Sequence, residues 1–159
     1  MLVKKHDGQT VIELMFILPV FMMIIFVILE MGNIAYHTLI ANHISYELAR
    51  VGAMVGVRKP SGAADKSRIN GKMKEALIKI VGLRKSQGIA FKADLQMTGI
   101  DEQYKKHVNE DLIVALTYRV DLSYPLTSYI FADEPKRLGI KRITVLTRMP
   151  VERPLLASQ

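Results

Sequence analysis

The sequence predicts an α+β protein in which a long N-terminal membrane-spanning helix continues into an amphipathic helix, followed by a second helix and a small antiparallel three-stranded sheet. Three observations lead to this fold class. A charge-free apolar run lies near the N-terminus, helical periodicity marks two later segments, and alternation of apolar and polar residues marks three segments after those. With 159 residues, the chain is long enough for one modest globular core in addition to the first helix.

The apolar run is Leu14–Leu29, sixteen residues without a charge between Glu13 and Glu30. At about 1.5 Å per residue it is about 24 Å long, and apolar residues just before it bring it closer to the ~30 Å hydrocarbon thickness of a bilayer. A cleaved secretory signal needs a small-residue cleavage site directly after the run, and the sequence there is a poor match. A buried core helix is rarely apolar on every face for four turns. The run therefore predicts a membrane span with the lipid bilayer as a partner. The residues assigned to the membrane helix are Leu14, Phe16, Pro19, Phe21, Phe26 and Leu29.

The expected membrane topology follows from the charged residues that precede the apolar run. Lys4 and Lys5 precede the run, so the positive-inside tendency places the N-terminus in the cytoplasm and the later residues outside. The expected division is a leader peptide at residues 1–8, a transmembrane and assembly helix at 9–57 and an extracytoplasmic α+β domain at 63–159. Pro19 either kinks the helix for packing or is tolerated without a function, and both interpretations stay open.

Beyond Glu30 the helix is expected to continue to about Val57, where a proline and a glycine follow. Gly52 and Gly56, four residues apart, either let another helix approach closely or have this spacing by chance. A second helix is expected from Ser67 to about Ser86, with Gly88 as its stop. Apolar and polar residues alternate at 89–98, 112–122 and 142–149, which predicts three strands.

Composition argues against several classes of protein. The formal charge of +7 is scattered and forms no basic arm, which argues against nucleic-acid binding. The chain has no cysteine, and its four histidines are not spaced as helical metal ligands, so no metal site is expected. No phosphate-binding loop, nucleophile elbow or carboxylate pair stands out, so we expect no cofactor and no enzymatic activity.

The boundary between leader and helix is the most informative segment. Gly8 ends the charged leader, and Glu13 stands five residues later at the edge of the apolar run. A carboxylate beside hydrocarbon is unfavourable by up to a few kcal/mol, so a partner for it is expected. If the chain is cut after Gly8, Gln9 acquires a cationic amine one helical turn from Glu13, and a neighbouring subunit can offer the same amine. Glu13 alternatively is an acid at a helix start, favoured by the helix dipole.

These residues resemble the TadE-like family of tight-adherence (Tad, or Flp-type) pilus proteins, within the wider type IV pilin-like group. The resemblance is carried by Gly8 and Glu13, by Pro19 within the apolar run, by the stretch 45–53 (SYELARVGA) and by the late paired strands. It implies cleavage between Gly8 and Gln9 by a prepilin-type peptidase, and a role as a minor pilin or pseudopilin in pilus biogenesis.

The resemblance also implies partners and a location. The partners are the prepilin-type peptidase, other pilins or minor pilins through the N-terminal helix, and inner-membrane pilus assembly proteins. The location is the bacterial inner membrane as a single-pass protein, with incorporation into a surface pilus as a further option. One alternative is an uncleaved bitopic protein whose outer domain binds an envelope partner. Another is a membrane-tethered enzyme whose site the sequence does not reveal.

Overall fold

The computed structural model describes residues 7–56, 66–83, 88–100 and 108–151, with side chains described at 9–56, 66–83, 88–96 and 111–151. The elements follow in the order α1 (Asp7–Gly56), α2 (Lys66–Val81), β1 (Ile89–Ile100), β2 (Val108–Asp121), α3 (Thr127–Phe131), a 3-10 turn (Lys136–Leu138) and β3 (Ile140–Pro150). The strands form one sheet in the order β1-β2-β3, and β1 pairs with β2 in antiparallel fashion. The predicted α+β class is confirmed.

The chain divides into two compact units. One contains the described residues up to His37 together with Val120–Lys141, and the other contains Thr38–Arg119 together with the described residues from Arg142 onward. The predicted leader, residues 1–8, lies mostly outside the described residues, so its boundary stays a prediction, as does the division into a helix and an outer domain.

The second unit is built around one apolar core. The buried side chains come from the late part of α1, from one face of α2 and from alternate positions of the strands. They are Ala41, Ile44, Leu48, Ala49, Ile69, Met73, Leu77, Ile89, Leu112, Val114, Leu116 and Val151. The helical and strand periodicities in the sequence therefore mark the faces that are buried in the core. Burial of apolar surface is the main favourable term in folding.

The sheet register places apolar residues of the same face opposite each other. Phe91 pairs with Leu116, and Leu95 pairs with Leu112, while Lys92 and Asp94, which lie between Phe91 and Leu95, are exposed. The pairing becomes irregular between Met97 and Ile100. In β3, alternate residues are likewise half-buried and exposed. Because a shift by one residue would turn every side chain to the other face, burial of one face fixes this register.

Polar contacts at the edge of this core are short. Ser45 on α1 and Thr147 on β3 lie 2.7 Å apart through their hydroxyl oxygens. The Lys66 ammonium donates to the Asp94 carboxylate over 2.8 Å, and this contact lowers the pKa of Asp94. Both partners of that ion pair are largely exposed, so it adds little to stability.

The end of α2 differs from the prediction. The helix ends at Val81, and Gly82 follows with φ of +85° and donates its N–H to the Ile78 carbonyl over 2.8 Å. Glycine reaches this left-handed conformation without a Cβ clash and is therefore a frequent helix terminator. The prediction of Gly88 as the stop is wrong for α2, because Gly82 already takes up the left-handed conformation that ends this helix.

The connection between β2 and β3 also has more structure than the sequence indicates. Residues 122–139 form this β2–β3 connection and contain α3, a cis Glu134–Pro135 peptide bond and the 3-10 turn. Leu122 donates its N–H to the Gly139 carbonyl over 2.8 Å, and Asp133 donates its N–H to the Ile140 carbonyl over 2.9 Å. Elements of five and three residues are too short to give a period that sequence analysis can detect.

Gly52 and Gly56 make room for contacts within the chain. A Cβ on Gly52 would overlap the Leu112 side chain and would lie 2.9 Å from the Met73 sulfur. A Cβ on Gly56 would lie 3.2 Å from Val151. The structure shows the close approach of another helix, since Ile69 of α2 would lie 3.5 Å from a Cβ on either glycine. Both glycines allow close packing within this chain.

We predict that Gly52→Ala destabilises the second unit by about 1–3 kcal/mol, because the added methyl group forces Leu112 and Met73 to move. Hydrogen–deuterium exchange of the full chain in detergent should show faster exchange of β2 amides, since each 1.4 kcal/mol corresponds to about tenfold.

The matched control is Gly71→Ala on α2, where an added Cβ meets nothing within 4 Å. It should slow exchange slightly, because alanine in a helix interior is favoured over glycine by about 0.5–1 kcal/mol. Equal β2 exchange in the Gly52→Ala protein and the unchanged protein would contradict the close packing around Gly52.

Candidate assembly helix and its buried glutamate

The first turns of α1 expose an unusual amount of apolar surface. Every described side chain from Gln9 to Ile24 is exposed, and Phe16 is 75% accessible. Burying a side chain of this size is worth about 1.5–3 kcal/mol, so many such groups together strongly favour a non-aqueous environment. Within the described residues, α1 is the helix long and apolar enough to cross a membrane. It is a candidate membrane span.

Gln9 and Glu13 lie on one face of α1, one turn apart. The Gln9 side-chain amide donates to the Glu13 carboxylate over 3.0 Å, and both side chains are exposed. Gly8 lies in the first turn of the same helix. The Glu13 carboxylate can accept more than one hydrogen bond, so the contact with Gln9 leaves it able to bind a further donor.

Pro19 lies inside α1, within the apolar run. Its nitrogen carries no hydrogen, so the Met15 carbonyl lacks the usual donor four residues later. A shallow apolar groove beside it is lined by Phe16, Ile17, Val20, Phe21 and Ile24. The other predicted membrane-helix residues, Leu14 and Leu29, are also exposed, whereas Phe26 is partly buried.

Phe26 differs because the β2–β3 connection covers it. Its ring stacks against the ring of Tyr124, with centroids 5.9 Å apart and planes inclined by 18°. An aromatic pair in such an arrangement contributes about 0.5–1.5 kcal/mol beyond the area it buries. The last turn of the apolar run is therefore attached to a segment almost a hundred residues later in the chain.

Glu30, the residue that closes the apolar run, is fully buried, with 0% of its surface accessible. One carboxylate oxygen accepts from the Asn33 side-chain amide over 2.9 Å. The other accepts from the backbone N–H groups of Ser123 and Tyr124 over 3.1 and 3.0 Å. It also lies 3.0 Å from the Thr127 hydroxyl, whose one proton is available to the Tyr124 carbonyl as well.

This arrangement makes Glu30 the anchor of the β2–β3 connection on α1. A buried carboxylate is strongly disfavoured unless hydrogen bonds replace its water, and four donor groups surround this one. Hydrogen bonds to a charged acceptor contribute about 1.5–3 kcal/mol each, more than those between neutral groups. The contacts therefore hold the chain from Ser123 to Thr127 against the helix.

Sequence reasoning offers little sign of this role. The pattern indicates Glu30 only as the charged boundary of the apolar run, and Ser123 and Tyr124 contribute backbone groups that nearly any residue carries. One usable sign is the isolation of a single acid directly after sixteen uncharged residues, which implies a partner for it. Nothing in the sequence indicates that the partner lies more than ninety residues away.

In the described part of the chain, no group of three or more histidine, aspartate or glutamate side chains is placed to hold a metal ion. The predicted absence of a metal site, a cofactor and catalysis stays a prediction. Instead, α1 presents exposed apolar side chains in its first half and the buried carboxylate of Glu30.

A family model described as TadE-like protein matches residues 8–50. The resemblance drawn from the sequence is confirmed over these residues. The match covers about a quarter of the chain, and it includes Gly8, Gln9, Glu13, the whole apolar run and Glu30. The TadE-like family indicates involvement in Tad pilus assembly, and pilus-associated proteins of this family are typically structural. Neither the curated proteins nor the solved structures contain a match to the chain.

We predict that Glu30→Ala releases the β2–β3 connection from α1. The Ser123 and Tyr124 N–H groups lose their acceptor, at a cost of about 2–4 kcal/mol, so their deuterium exchange should accelerate by about thirtyfold or more in the detergent-solubilised full chain. Glu30→Gln should have a smaller effect, because its amide oxygen still accepts but carries no charge.

Glu75→Ala is the matched control, since Glu75 is exposed on α2 beside Lys72. It should leave the exchange of Ser123 and Tyr124 unchanged. Equal exchange of those two amides in Glu30→Ala and Glu75→Ala would rule out the anchoring role.

Proposed function

We propose that this protein is a minor pilin or pseudopilin-like component of Tad-type pilus biogenesis. A prepilin-type peptidase cleaves the chain after Gly8, and the mature protein assembles through α1 with other pilins or minor pilins. The observation that carries the proposal is the apolar, unshielded first half of α1 within the segment that matches the TadE-like family.

The proposed location is the bacterial inner membrane. The lysines of the leader favour a cytoplasmic N-terminus, and the charge-free run has the length of a single span once its apolar flank is included. The remainder of the chain then lies outside the cytoplasm, where inner-membrane assembly proteins can extract the helix into a growing fibre or hold it at the base.

Glu13 is the proposed registering group. After cleavage, the new amine of Gln9 in a neighbouring subunit is a cation within reach of this carboxylate when two helices pack side by side. An ion pair in apolar surroundings stabilises only one register, because any displacement leaves two unpaired charges. The groove lined by Phe16, Val20 and Phe21 offers apolar contact for the same neighbouring helix.

An uncleaved bitopic protein that binds an envelope partner through its outer part is the second candidate. The anchoring of the β2–β3 connection on α1 by Glu30 is compatible with it, since that contact needs no processing. The two candidates differ in the fate of the first eight residues.

We predict that the protein isolated from membranes loses residues 1–8 only when an active prepilin peptidase is co-expressed. Intact-mass measurement distinguishes the two forms, and a peptidase with its catalytic aspartates replaced is the control. A full-length chain in the presence of the active peptidase would overturn processing and favour the bitopic alternative.

We predict that Glu13→Gln leaves membrane insertion intact but lowers incorporation into the pilus fraction by about tenfold or more, because a partner amine is left unpaired at a cost of about 3–5 kcal/mol. Quantitative immunoblots of membrane and sheared-pilus fractions provide the measurement.

Glu47→Gln is the control, since Glu47 lies on α1 beyond the apolar run, 4.0 Å from the Arg50 guanidinium. It should leave incorporation unchanged. Normal incorporation of Glu13→Gln would show that Glu13 does not set the register.

A further inference from the structure

The β2–β3 connection exposes large apolar side chains. Leu126, Tyr129, Ile130 and Leu138 are 56%, 69%, 59% and 60% accessible. Single exposed apolar residues are common, but these four lie within about thirteen residues, in or beside α3 and the 3-10 turn, which contact each other. We call these four residues the apolar tip.

The apolar tip lies next to the end of the apolar run. Thr127, between two of its members, contacts the Glu30 carboxylate, and the Tyr124 ring stacks on Phe26 inside the run. Phe26 belongs to the hydrophobic stretch itself, so the ring that touches it lies at the level of the last turn of that stretch. The β2–β3 connection therefore contacts the apolar run at the last turn of the run.

The backbone holds the apolar tip in place at an energetic cost. Leu126 has φ of +68°, a left-handed conformation that a bulky side chain adopts at a cost of about 1–2 kcal/mol. Its carbonyl accepts from the Tyr129 N–H over 3.2 Å, at the start of α3. Asparagine or glycine would satisfy this conformation more easily, and neither would present an apolar side chain there.

The polar groups around the apolar tip suit an interface. The Lys136 ammonium donates to the Tyr129 carbonyl over 2.9 Å, and Glu134 and Arg137 are exposed nearby in sequence. Because these charges are of both signs, attraction to a partner surface must come mainly from the apolar groups. Tyrosine beside leucine and isoleucine is the composition found where a protein meets the boundary between water and lipid.

We propose that the β2–β3 connection lies in the interfacial layer of the bilayer, with the apolar tip inserted among the headgroups beside the protein's own span. The occupant of this surface is lipid, because its attachment to Phe26 and Glu30 brings it to the membrane surface whenever α1 spans the membrane. This inference rests on the membrane span of the proposed function, but it does not depend on cleavage or on pilus assembly.

The consequence is a second membrane contact for a single-pass protein. Insertion of the apolar tip fixes the depth of the span, since Glu30 and Phe26 cannot sink or rise without moving the β2–β3 connection. The contact must also be given up when the helix leaves the bilayer, so it favours the membrane-stored form.

Tryptophan fluorescence tests this placement, because the chain contains no tryptophan of its own. Three single-tryptophan variants of the full chain are reconstituted in phosphatidylcholine vesicles: Tyr129→Trp in the apolar tip, Phe21→Trp in the run, and Tyr46→Trp on α1, sixteen residues beyond Glu30. Tyr46 is exposed and lies well past the apolar run, so its variant is the matched control for Tyr129. Quenching is compared between lipids brominated near the headgroup and near the methyl end of the acyl chain.

We expect headgroup-proximal bromine to remove about half of the emission of Tyr129→Trp, as for a side chain inserted about 5–10 Å into the interface. Phe21→Trp should be quenched more by the deeper bromine, and Tyr46→Trp by neither. A tip variant that behaves like Tyr46→Trp while Phe21→Trp is quenched would overturn the proposal and leave the apolar tip as a protein-binding surface. Absence of quenching of Phe21→Trp would overturn both the span and this proposal.

A second substitution separates insertion from folding. Leu126→Asn removes the apolar side chain but tolerates positive φ, so it should preserve the β2–β3 connection. In the Tyr129→Trp protein, Leu126→Asn should reduce quenching by headgroup-proximal bromine at least about twofold. It should also shift the tryptophan emission maximum to longer wavelength. Leu146→Asn on the exposed face of β3 is its control and should change neither quantity. Equal quenching in both backgrounds would contradict a contribution of Leu126 to insertion.

Discussion

The buried carboxylate of Glu30 is the interaction on which the first unit depends. It stands where sixteen uncharged residues end, and it is satisfied by one side chain of its own helix and by the backbone of Ser123 and Tyr124. A charge in this position, left without partners, would be among the least favourable groups in the molecule. Its requirement for donors explains why the β2–β3 connection is attached to α1 at this turn.

The two halves of α1 illustrate how one helix serves two environments. Its first half carries large side chains such as Phe16 and Phe21, which are exposed and suit contact with lipid or other helices. Its second half buries one face, which includes the large residues Ile44 and Leu48 as well as the small residues Ala49 and Gly52. Burial therefore changes along a single helix, from side chains exposed all round in the first turns to one face packed in the core of the second unit.

Much of this fold can be predicted from the sequence, because burial repeats with the period of each element. The apolar run lies in α1, and the alternation in β2 appears at the expected residues. Most of the apolar face expected on α2 is buried or partly buried, although Ile80 is 44% exposed. The end of α2 is predicted too late, since Gly82 and Gly88 are both possible terminators and only the backbone conformation shows that the helix ends before Gly82. Elements as short as α3 have no period to detect.

Only some contacts of the candidate site can be predicted from the sequence. Gln9 and Glu13 are four residues apart, so helical geometry alone brings them together. The partners of Glu30 come mainly from a distant segment and include backbone groups, which carry no residue-specific sign. The role of Gly52 likewise depends on Leu112 and Met73, which reach it through the tertiary fold.

Cysteine accessibility tests the central claim, a single span with the N-terminus inside, most directly, because the chain has no cysteine of its own. Val3→Cys in the leader, which keeps both lysines, and Asn70→Cys on the exposed face of α2 are compared in spheroplasts of cells without the peptidase, using a maleimide that does not cross membranes. We predict that Asn70→Cys is labelled in intact spheroplasts, whereas Val3→Cys is labelled only after permeabilisation. Three results would contradict the proposed membrane topology: both variants labelled in intact spheroplasts, neither variant labelled in intact spheroplasts, or only the leader variant labelled there.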